Sequence, residues 1–321
     1  MNKYVIRRLL LFVPTLFILS LIIFGIMRIL PGDFAILMLS DEGGGVTSTA
    51  FAKTLEELRE RLGLNEPLYA QYATWAWGIL KGNLGTSLYS GQPMTSEIFL
   101  RFPLTLQLAV MAKVISLAIG IPVGILSAVY RNTWLDYVLR FWSIVFLAAP
   151  AFWLALIVIL VGVLVFQWTP PVGYNSIWQK PWENLQQMLW PSLILASHGM
   201  ASIARMTRST MLEVLGEDYI RTARAKGLTE RVLITRHALK NALIPVVTVA
   251  GISFGHMLGG AVILEYIFGI PGLGAYFIGA IQGRDYPVVQ GTVVVFGLVF
   301  MVVNLVVDML YGWLDPRISY S

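Results

Sequence analysis

Long apolar segments recur along the chain and are separated by stretches that collect polar and charged residues. Six of these segments have the roughly 20 apolar residues that a helix needs to cross the core of a bilayer. They lie near residues 9–30, 103–130, 137–167, 189–212, 244–266 and 288–311. Because lipid offers no partners to backbone polar groups, each segment must hydrogen-bond internally. The pattern therefore predicts an all-α membrane protein with six transmembrane helices.

The composition agrees with a chain that lies in lipid. Hydrophobic residues make up 57% of the 321 residues and charged residues 13%, about half the roughly 25% of soluble domains. A disordered chain needs low hydrophobicity and high charge, so that class is excluded. The net charge of +5 fits basic residues on the cytoplasmic side of a lipid bilayer. We expect no nucleic acid among the partners.

Basic residues also orient the predicted spans. Lys3, Arg7 and Arg8 precede the first apolar segment, and such residues favour the cytoplasmic side. This segment is longer than the core of a signal peptide and is followed by no cleavage site, so we interpret it as an uncleaved anchor. Six spans return the chain to the side on which it began. We therefore expect both termini in the cytoplasm.

This orientation divides the chain into three parts. Residues 1–30 form the N-terminal segment and first transmembrane helix, and residues 31–102 form an external loop. A capping pair at Thr54 and Glu57 predicts the first of two short helices in that loop. Residues 103–321 form a core of five transmembrane helices, which includes a basic cytoplasmic stretch at 213–243.

Several kinds of chemistry are missing from the sequence. The chain has no cysteine, which excludes disulfides, thiol nucleophiles and cysteine-held metals. Its three histidines, His198, His237 and His256, are too scattered for a metal site. No lysine follows a glycine, so the phosphate-binding P-loop is absent. We expect no metal, no cofactor and no catalytic residue in this chain.

The cytoplasmic stretch predicts two short helices joined at a glycine. Glu217 and Asp218 suit the positive end of a helix dipole, and Gly227 suits the position just after its last residue. Thr229 is placed to cap a second helix, which we expect to end before Pro245. The small residues of this hairpin would let another surface approach closely: Ala223, Ala225 and Gly227. The alternative is an ordinary basic loop beside anionic lipid.

The hairpin also carries a family resemblance. The run Asp218-Tyr219-Ile220-Arg221-Thr222-Ala223-Arg224-Ala225-Lys226-Gly227-Leu228, followed by 236–245, resembles the cytoplasmic EAA loop of ABC importer permeases. It is most similar to the dipeptide, oligopeptide and nickel branch. Arg221-Thr222-Ala223 stands where the general pattern has Glu-Ala-Ala, with Gly227 in register. Further supporting motifs are Arg7-Arg8-Leu9, Pro31-Gly32-Asp33, Leu62-Gly63-Leu64, Gly82-Asn83-Leu84-Gly85, Gly269-Ile270-Pro271-Gly272-Leu273-Gly274 and Leu314-Asp315-Pro316-Arg317.

The resemblance implies a MetI-like, type I importer permease in the inner membrane. Its partners would be a homologous second permease, two ATP-binding subunits and an external solute-binding protein. ATP and magnesium would be held by the partner subunits. The hairpin would couple ATPase movement to the transmembrane helices. The coupling residues would be Glu217, Asp218, Arg221, Thr222, Ala223, Arg224, Ala225, Lys226, Gly227 and Leu228.

The fifth apolar segment contains two overlapping patterns. Gly251, Gly255 and Gly259 recur every four residues and predict close helix packing, either within the chain or between two permeases. Gly120 and Gly124 do the same in the second segment. Ser253 lies between the first two of these glycines, three residues before His256, and completes a Gly-x-Ser-x-Gly motif. An intramembrane serine protease is therefore an alternative from another class, although that motif needs a strand before the serine.

Charged residues inside spans are candidates for function. Lys113 lies within the second predicted span and Glu265 near the outer end of the fifth. Lys113 either faces the substrate path or has a structural role, by snorkelling outward or by pairing with Glu265. We expect Arg140, Arg205 and Arg208 to anchor helices at the membrane surface.

The solute is the least determined part of the hypothesis. The resemblance implies an importer of di- or oligopeptides, and a nickel complex or an oligosaccharide is the alternative within the same branch. Few ligands for a bare metal ion lie within the spans. A secondary transporter remains a further alternative, although we find no internal repeat of the kind that such folds show.

Overall fold

The structure is a computed structural model that describes residues 2–29, 53, 56, 59–60, 65–171 and 173–314. Almost all of these residues are helical. The helices are α1 (Asn2–Ile29), α2 (Leu68–Leu80), α3 (Met94–Val129), α4 (Trp134–Ala148), α5 (Ala151–Phe166), α6 (Pro181–Leu215), α7 (Asp218–Ala225), α8 (Glu230–Phe268), α9 (Leu273–Gln282) and α10 (Tyr286–Leu314). The motifs at 31–33, 62–64 and 315–317 lie outside the described residues, as does the capping pair Thr54 and Glu57.

Each predicted span falls mostly on helical structure. Among the described residues, α3, α8 and the part of α10 over Tyr286–Val307 are each long and apolar enough to cross a bilayer. The bent pair α4 and α5 supplies up to one more such span. The first predicted span lies on α1, whose apolar part is Leu10–Ile26. The fourth lies on α6, which is less apolar than these helices and contains many buried residues.

The third predicted span is broken in the middle. Its two halves, α4 and α5, meet at an angle of 104°. Ala149 is extended at the break, with φ −74° and ψ 123°, because the ring of Pro150 disfavours a helical conformation in the residue before it. The prediction of one continuous helix over 137–167 is therefore wrong at this proline.

In α8, by contrast, a proline does not interrupt the helix. The prediction that the second hairpin helix ends before Pro245 is wrong, because Pro245 lies inside a helix that runs without a break to Phe268. Membrane helices tolerate proline where neighbouring helices and local adjustments satisfy the freed backbone groups. A wider π-helical stretch at Leu233–Ala238 precedes this α-helical part of α8. The second hairpin helix and the fifth span are thus one helix of 39 residues, Glu230–Phe268.

The long helix α6 packs against α4, α5 and α8. Many of its buried residues are small or hydroxylic, among them Ser192, Ser197, Gly199 and Thr207. Small side chains let helices approach closely in lipid. A Cβ built at Gly124 of α3 would lie 2.6 Å from the backbone oxygen of Ala204. This contact explains why glycine stands at that position.

The other glycine contacts also lie within the chain. A Cβ at Gly120 would lie 2.8 Å from the oxygen of Met200 on α6. Gly251 and Gly255 of α8 face the side chains of Val307 and Phe300 on α10, at 2.5 Å and 2.8 Å from an added Cβ. Of the five glycines predicted to pack closely, only Gly259 has no heavy atom within 4 Å of an added Cβ among the described contacts.

The chain divides into two compact units. One contains Met1–Val5, Pro103–Ala275 and Val299–Ser321, and the other contains Ile6–Phe102 and Tyr276–Leu298. In the second unit, Ser87 donates a hydrogen bond to Asp285 over 2.6 Å, and Tyr72 contacts Phe17 and Phe24 edge-on. The first unit contains the hairpin and all the predicted site residues.

Candidate coupling hairpin and intramembrane site

The hairpin turns at a glycine in the left-handed conformation. Gly227 has φ +80°, and its N–H donates to Arg224 O over 3.0 Å. The N–H of Leu228 reaches back to Ala223 O over 3.4 Å. These two bonds and the left-handed glycine form the Schellman motif that ends many helices. The prediction that Gly227 closes the first hairpin helix is confirmed by this geometry.

One side of the hairpin is buried. Ile220 is fully buried and Ala223 is 8% exposed, and both pack with Leu233 and Ala238 of α8 and with Met211 of α6. Ala223 therefore belongs to the inner core of the protein, and the expectation that it lies open to another surface is wrong. The buried side fixes α7 against the two long helices beside it.

The opposite side of the hairpin is exposed. Leu228 is half-buried, whereas the other residues predicted to take part in coupling are accessible: Glu217, Asp218, Arg221, Thr222, Arg224, Ala225, Lys226 and Gly227. Arg221 and Asp218 form an exposed ion pair of 3.3 Å.

Two polar links close the hairpin. Arg224 Nε donates to Glu230 Oε1 over 2.7 Å, which joins the ends of α7 and α8 across the turn. The hydrogen bond with Glu230 raises the pKa of Arg224 above its ordinary value. Asn241 Nδ2 donates to Tyr219 Oη over 2.8 Å. Thr229 occupies the N-cap position before Glu230, but no side-chain capping bond forms there.

A buried ion pair lies between α4 and α6. Arg208 donates from Nε and Nη2 to the two oxygens of Asp136, over 2.9 Å and 2.8 Å. Ser127 Oγ and the backbone N–H of Asn132 donate to the same carboxylate. The expectation that Arg208 is a surface anchor is wrong, because its side chain is only 20% exposed. Sequence reasoning missed Asp136. The signal that could have found it is an acidic residue at the third position of a mostly apolar helix.

Lys113 and Ser253 meet between α3 and α8. Lys113 Nζ donates to Ser253 Oγ over 2.6 Å, and Ser253 Oγ donates to Ala250 O over 3.0 Å. His256 is exposed and its ring lies edge-on to Phe300, with 6.0 Å between centroids. Ser253 is thus hydrogen-bonded to a lysine and its own helix rather than set up as a serine–histidine pair. The serine–histidine pair that the protease alternative requires is therefore not formed.

Lys113 lines an apolar cavity of about 360 Å³. Hydrophobic side chains of α8 and α10 form most of its wall, including Val247, Phe254, Val303 and Val307. Of the described lining residues, Lys113 is the only charged one. The cavity therefore combines a hydrophobic wall with a single cation.

Glu265 is paired with a helix end rather than with Lys113. Its Oε2 accepts the backbone N–H groups of Gly274 and Ala275, over 2.7 Å and 3.1 Å, in the first turn of α9. A carboxylate is stabilised there by the helix dipole and by free backbone donors. A Cβ at Gly272 would lie 2.4 Å from Glu265 Cδ, which explains one glycine of the 269–274 motif. Of the alternatives open for Lys113, pairing with Glu265 is therefore not the one that the structure shows.

This cap should contribute measurably to stability. Glu265→Ala leaves the buried donor of Gly274 without its acceptor, and we expect it to lower the free energy of unfolding by about 2 kcal/mol. Gly279→Ala is the control on α9, because an added Cβ there meets no heavy atom within 4 Å. Thermal unfolding of the purified protein measures both variants. Equal midpoints for the two would contradict the capping role.

Comparison with known proteins assigns the chain to a family. Residues 120–320 match the family described as the binding-protein-dependent transport system inner membrane component. Residues 1–109 match the N-terminal part of such membrane components. The chain belongs to this family. It is accordingly an importer permease of the ABC class, as the hairpin motif predicted.

Full-length relatives agree with this assignment. The dipeptide transport system permease protein DppB of Alkalihalophilus pseudofirmus is 40% identical, with all of both chains covered. The glutathione transport system permease protein GsiC of an Escherichia coli strain is 41% identical over the whole of both chains. The permease therefore has relatives that match it from end to end, and their names describe transport of a dipeptide and of glutathione.

The fold also has solved counterparts. An inward-facing structure of the MetNI methionine ABC transporter has a chain that superimposes with a TM-score of 0.57 at 21% identity. The match covers 70% of this permease and 99% of that chain. The predicted all-helical, MetI-like fold class is thereby confirmed.

Proposed function

We propose that the protein is the membrane-spanning subunit of an importer for di- or oligopeptides that an external solute-binding protein delivers. The names of its full-length relatives, which describe dipeptide and glutathione transport, are the observation that carries the choice of peptides. The cavity at Lys113 supports it, because a largely apolar wall with one cation suits a small solute with a carboxylate better than an uncharged sugar.

In this proposal the chain works with a homologous second permease and two ATP-binding subunits. Those subunits hold ATP and magnesium and carry out hydrolysis, and this chain has no catalytic residue. The exposed face of the hairpin contacts one ATPase on the cytoplasmic side, where both termini of the permease lie. The exposed ATPase-facing residues include Arg221, Arg224 and Lys226.

The joined helices offer a mechanical route for coupling. The buried side of α7 packs against both α6 and α8, and α8 continues from the hairpin into the membrane as one helix. A displacement of α7 by an ATPase would therefore move two helices of the permease. Alternating access requires such an element to have two arrangements, each favoured by a different nucleotide state of the ATPases.

Reconstituted transport tests the proposal. We expect proteoliposomes with the complete importer to take up a labelled dipeptide when ATP is enclosed with the ATPases, whether or not an uncoupler is present. Omission of ATP or of the binding protein should reduce uptake to background. Uptake that needs an ion gradient instead of ATP would refute ATP-driven transport. Uptake of nickel complexes or oligosaccharides, with none of peptides, would replace the proposed solute.

A further inference from the structure

The cavity at Lys113 has the features of a binding site. The coupling mechanism described above assigns it no role. Lys113 lies near the middle of the 36-residue helix α3. A lysine inside a membrane is costly, and such residues face cavities or water and mark the paths of substrates. No described side chain forms an ion pair with it, and Ser253 is its one hydrogen-bond partner among the described residues. The ammonium therefore retains capacity to bind an anion.

The size and wall of the cavity limit that anion. About 360 Å³ lies near the lower end of the roughly 300–1,000 Å³ of ligand pockets. Leu117, Val247, Phe254 and Val303 line it beside Lys113, and of the described lining residues none is acidic. The best match is a small, mostly apolar molecule with one carboxylate. Anionic lipid headgroups match less well, because they lie at the surface of a bilayer.

We infer that this cavity receives the C-terminal carboxylate of a short transported peptide, with Lys113 as its charge partner and apolar side chains of the peptide against the wall. The inference rests on the proposed function and narrows it to peptides of a few residues with a free C-terminus. Ser253 is a positioning residue in this scheme. Its hydroxyl directs Lys113 Nζ toward α8, and its own proton goes to Ala250 O.

The first test compares a peptide with its amide. The probes are dialanine and dialanine C-terminal amide, taken up at low concentration by proteoliposomes that contain the complete importer. We expect Lys113→Met to lower the acid-to-amide uptake ratio about tenfold relative to the wild type, as loss of a charge-assisted hydrogen bond would. The binding protein is the same in the wild-type and the Lys113→Met importer. Its own preference for acid or amide therefore cancels when the two uptake ratios are compared. Lys113→Arg keeps the charge and should keep most of the ratio.

The outcomes separate the inference from the proposed function. A lower ratio in Lys113→Met with amide uptake retained supports the carboxylate site. Equal loss of both uptakes, or no loss of either, overturns it. If the wild-type importer takes up peptides and Lys113→Met does not change the ratio, only the site is refuted. If the wild-type importer takes up no peptide, the proposed function is refuted as well.

A second test does not depend on removing Lys113. The chain has no cysteine, so Val247→Cys introduces its single thiol, at a cavity position that is 40% exposed. We expect dialanine to slow maleimide labelling of this thiol in the complete importer, and its amide to slow labelling much less. Equal labelling with and without dialanine overturns the inference. Protection by phosphatidylglycerol in the vesicles without any peptide would make lipid the occupant and overturn it too.

Discussion

Asp136→Ala is expected to lower the free energy of unfolding by about 3 kcal/mol. The substitution removes the acceptor of four hydrogen bonds, two of which come from Arg208. It leaves a guanidinium that is only 20% exposed without its carboxylate. Losing one partner of a buried pair costs far more than the pair itself contributes, because the remaining charge stays desolvated. Arg208 retains some exposure, which places the estimate at the lower end of the usual range.

An exposed ion pair in the same protein provides the matched control. Lys180 and Glu183 lie 3.0 Å apart with side chains 56% and 45% exposed. Glu183→Ala should change stability by less than about 1 kcal/mol, since water screens that pair. Thermal unfolding followed by tryptophan fluorescence measures both variants in detergent. Asp136→Ala together with Arg208→Met should recover part of the loss. Equal midpoints for Asp136→Ala and Glu183→Ala would contradict the structural role of the buried pair.

The sequence predicted positions of helices better than their continuity. The length of the apolar segments was enough to locate the spans. Every segment that crosses lipid must satisfy its own backbone hydrogen bonds and is therefore helical. Apolar length could not distinguish Pro150, where the chain bends, from Pro245, where it does not. The proline ring acts locally in both places, and the outcome depends on which neighbouring groups satisfy the freed backbone. Those neighbours come from distant parts of the chain.

The candidate site shows the same division between local and distant effects. Gly227 was predictable, because a left-handed helix end selects glycine through its own backbone. The partners of Asp136, Lys113 and Glu265 were not, because each charge finds its partner on another helix or in a later segment. Gly251 and Gly255 of α8 pack closely as the pattern predicted, whereas Gly259 has no such contact among the described residues. Only the structure identifies α10 as the neighbour of Gly251. The coupling role of the hairpin and the three-part division of the chain stay predictions.

Gly227→Val tests the coupling role directly. Gly227 has φ +80°, and an added Cβ would meet no heavy atom within 4 Å among the described contacts. The cost of the substitution is therefore conformational strain, roughly 1–2 kcal/mol for a residue with a Cβ held in the left-handed region. That strain shifts the equilibrium away from the observed turn by about 5–30-fold. If the ATPase binds only the observed turn, ATP-driven peptide uptake should fall by a similar factor.

Two further variants separate backbone strain from other effects. Gly227→Asn tolerates the left-handed region better than any branched residue and should retain most of the uptake. Gly279→Val adds the same side chain in open space on α9 and should leave uptake unchanged. Insertion and folding should survive in all three, because the buried side of the hairpin, with Ile220 and Ala223, is not altered. Normal uptake in Gly227→Val, or an equal loss in Gly227→Asn, would remove the turn from the coupling mechanism.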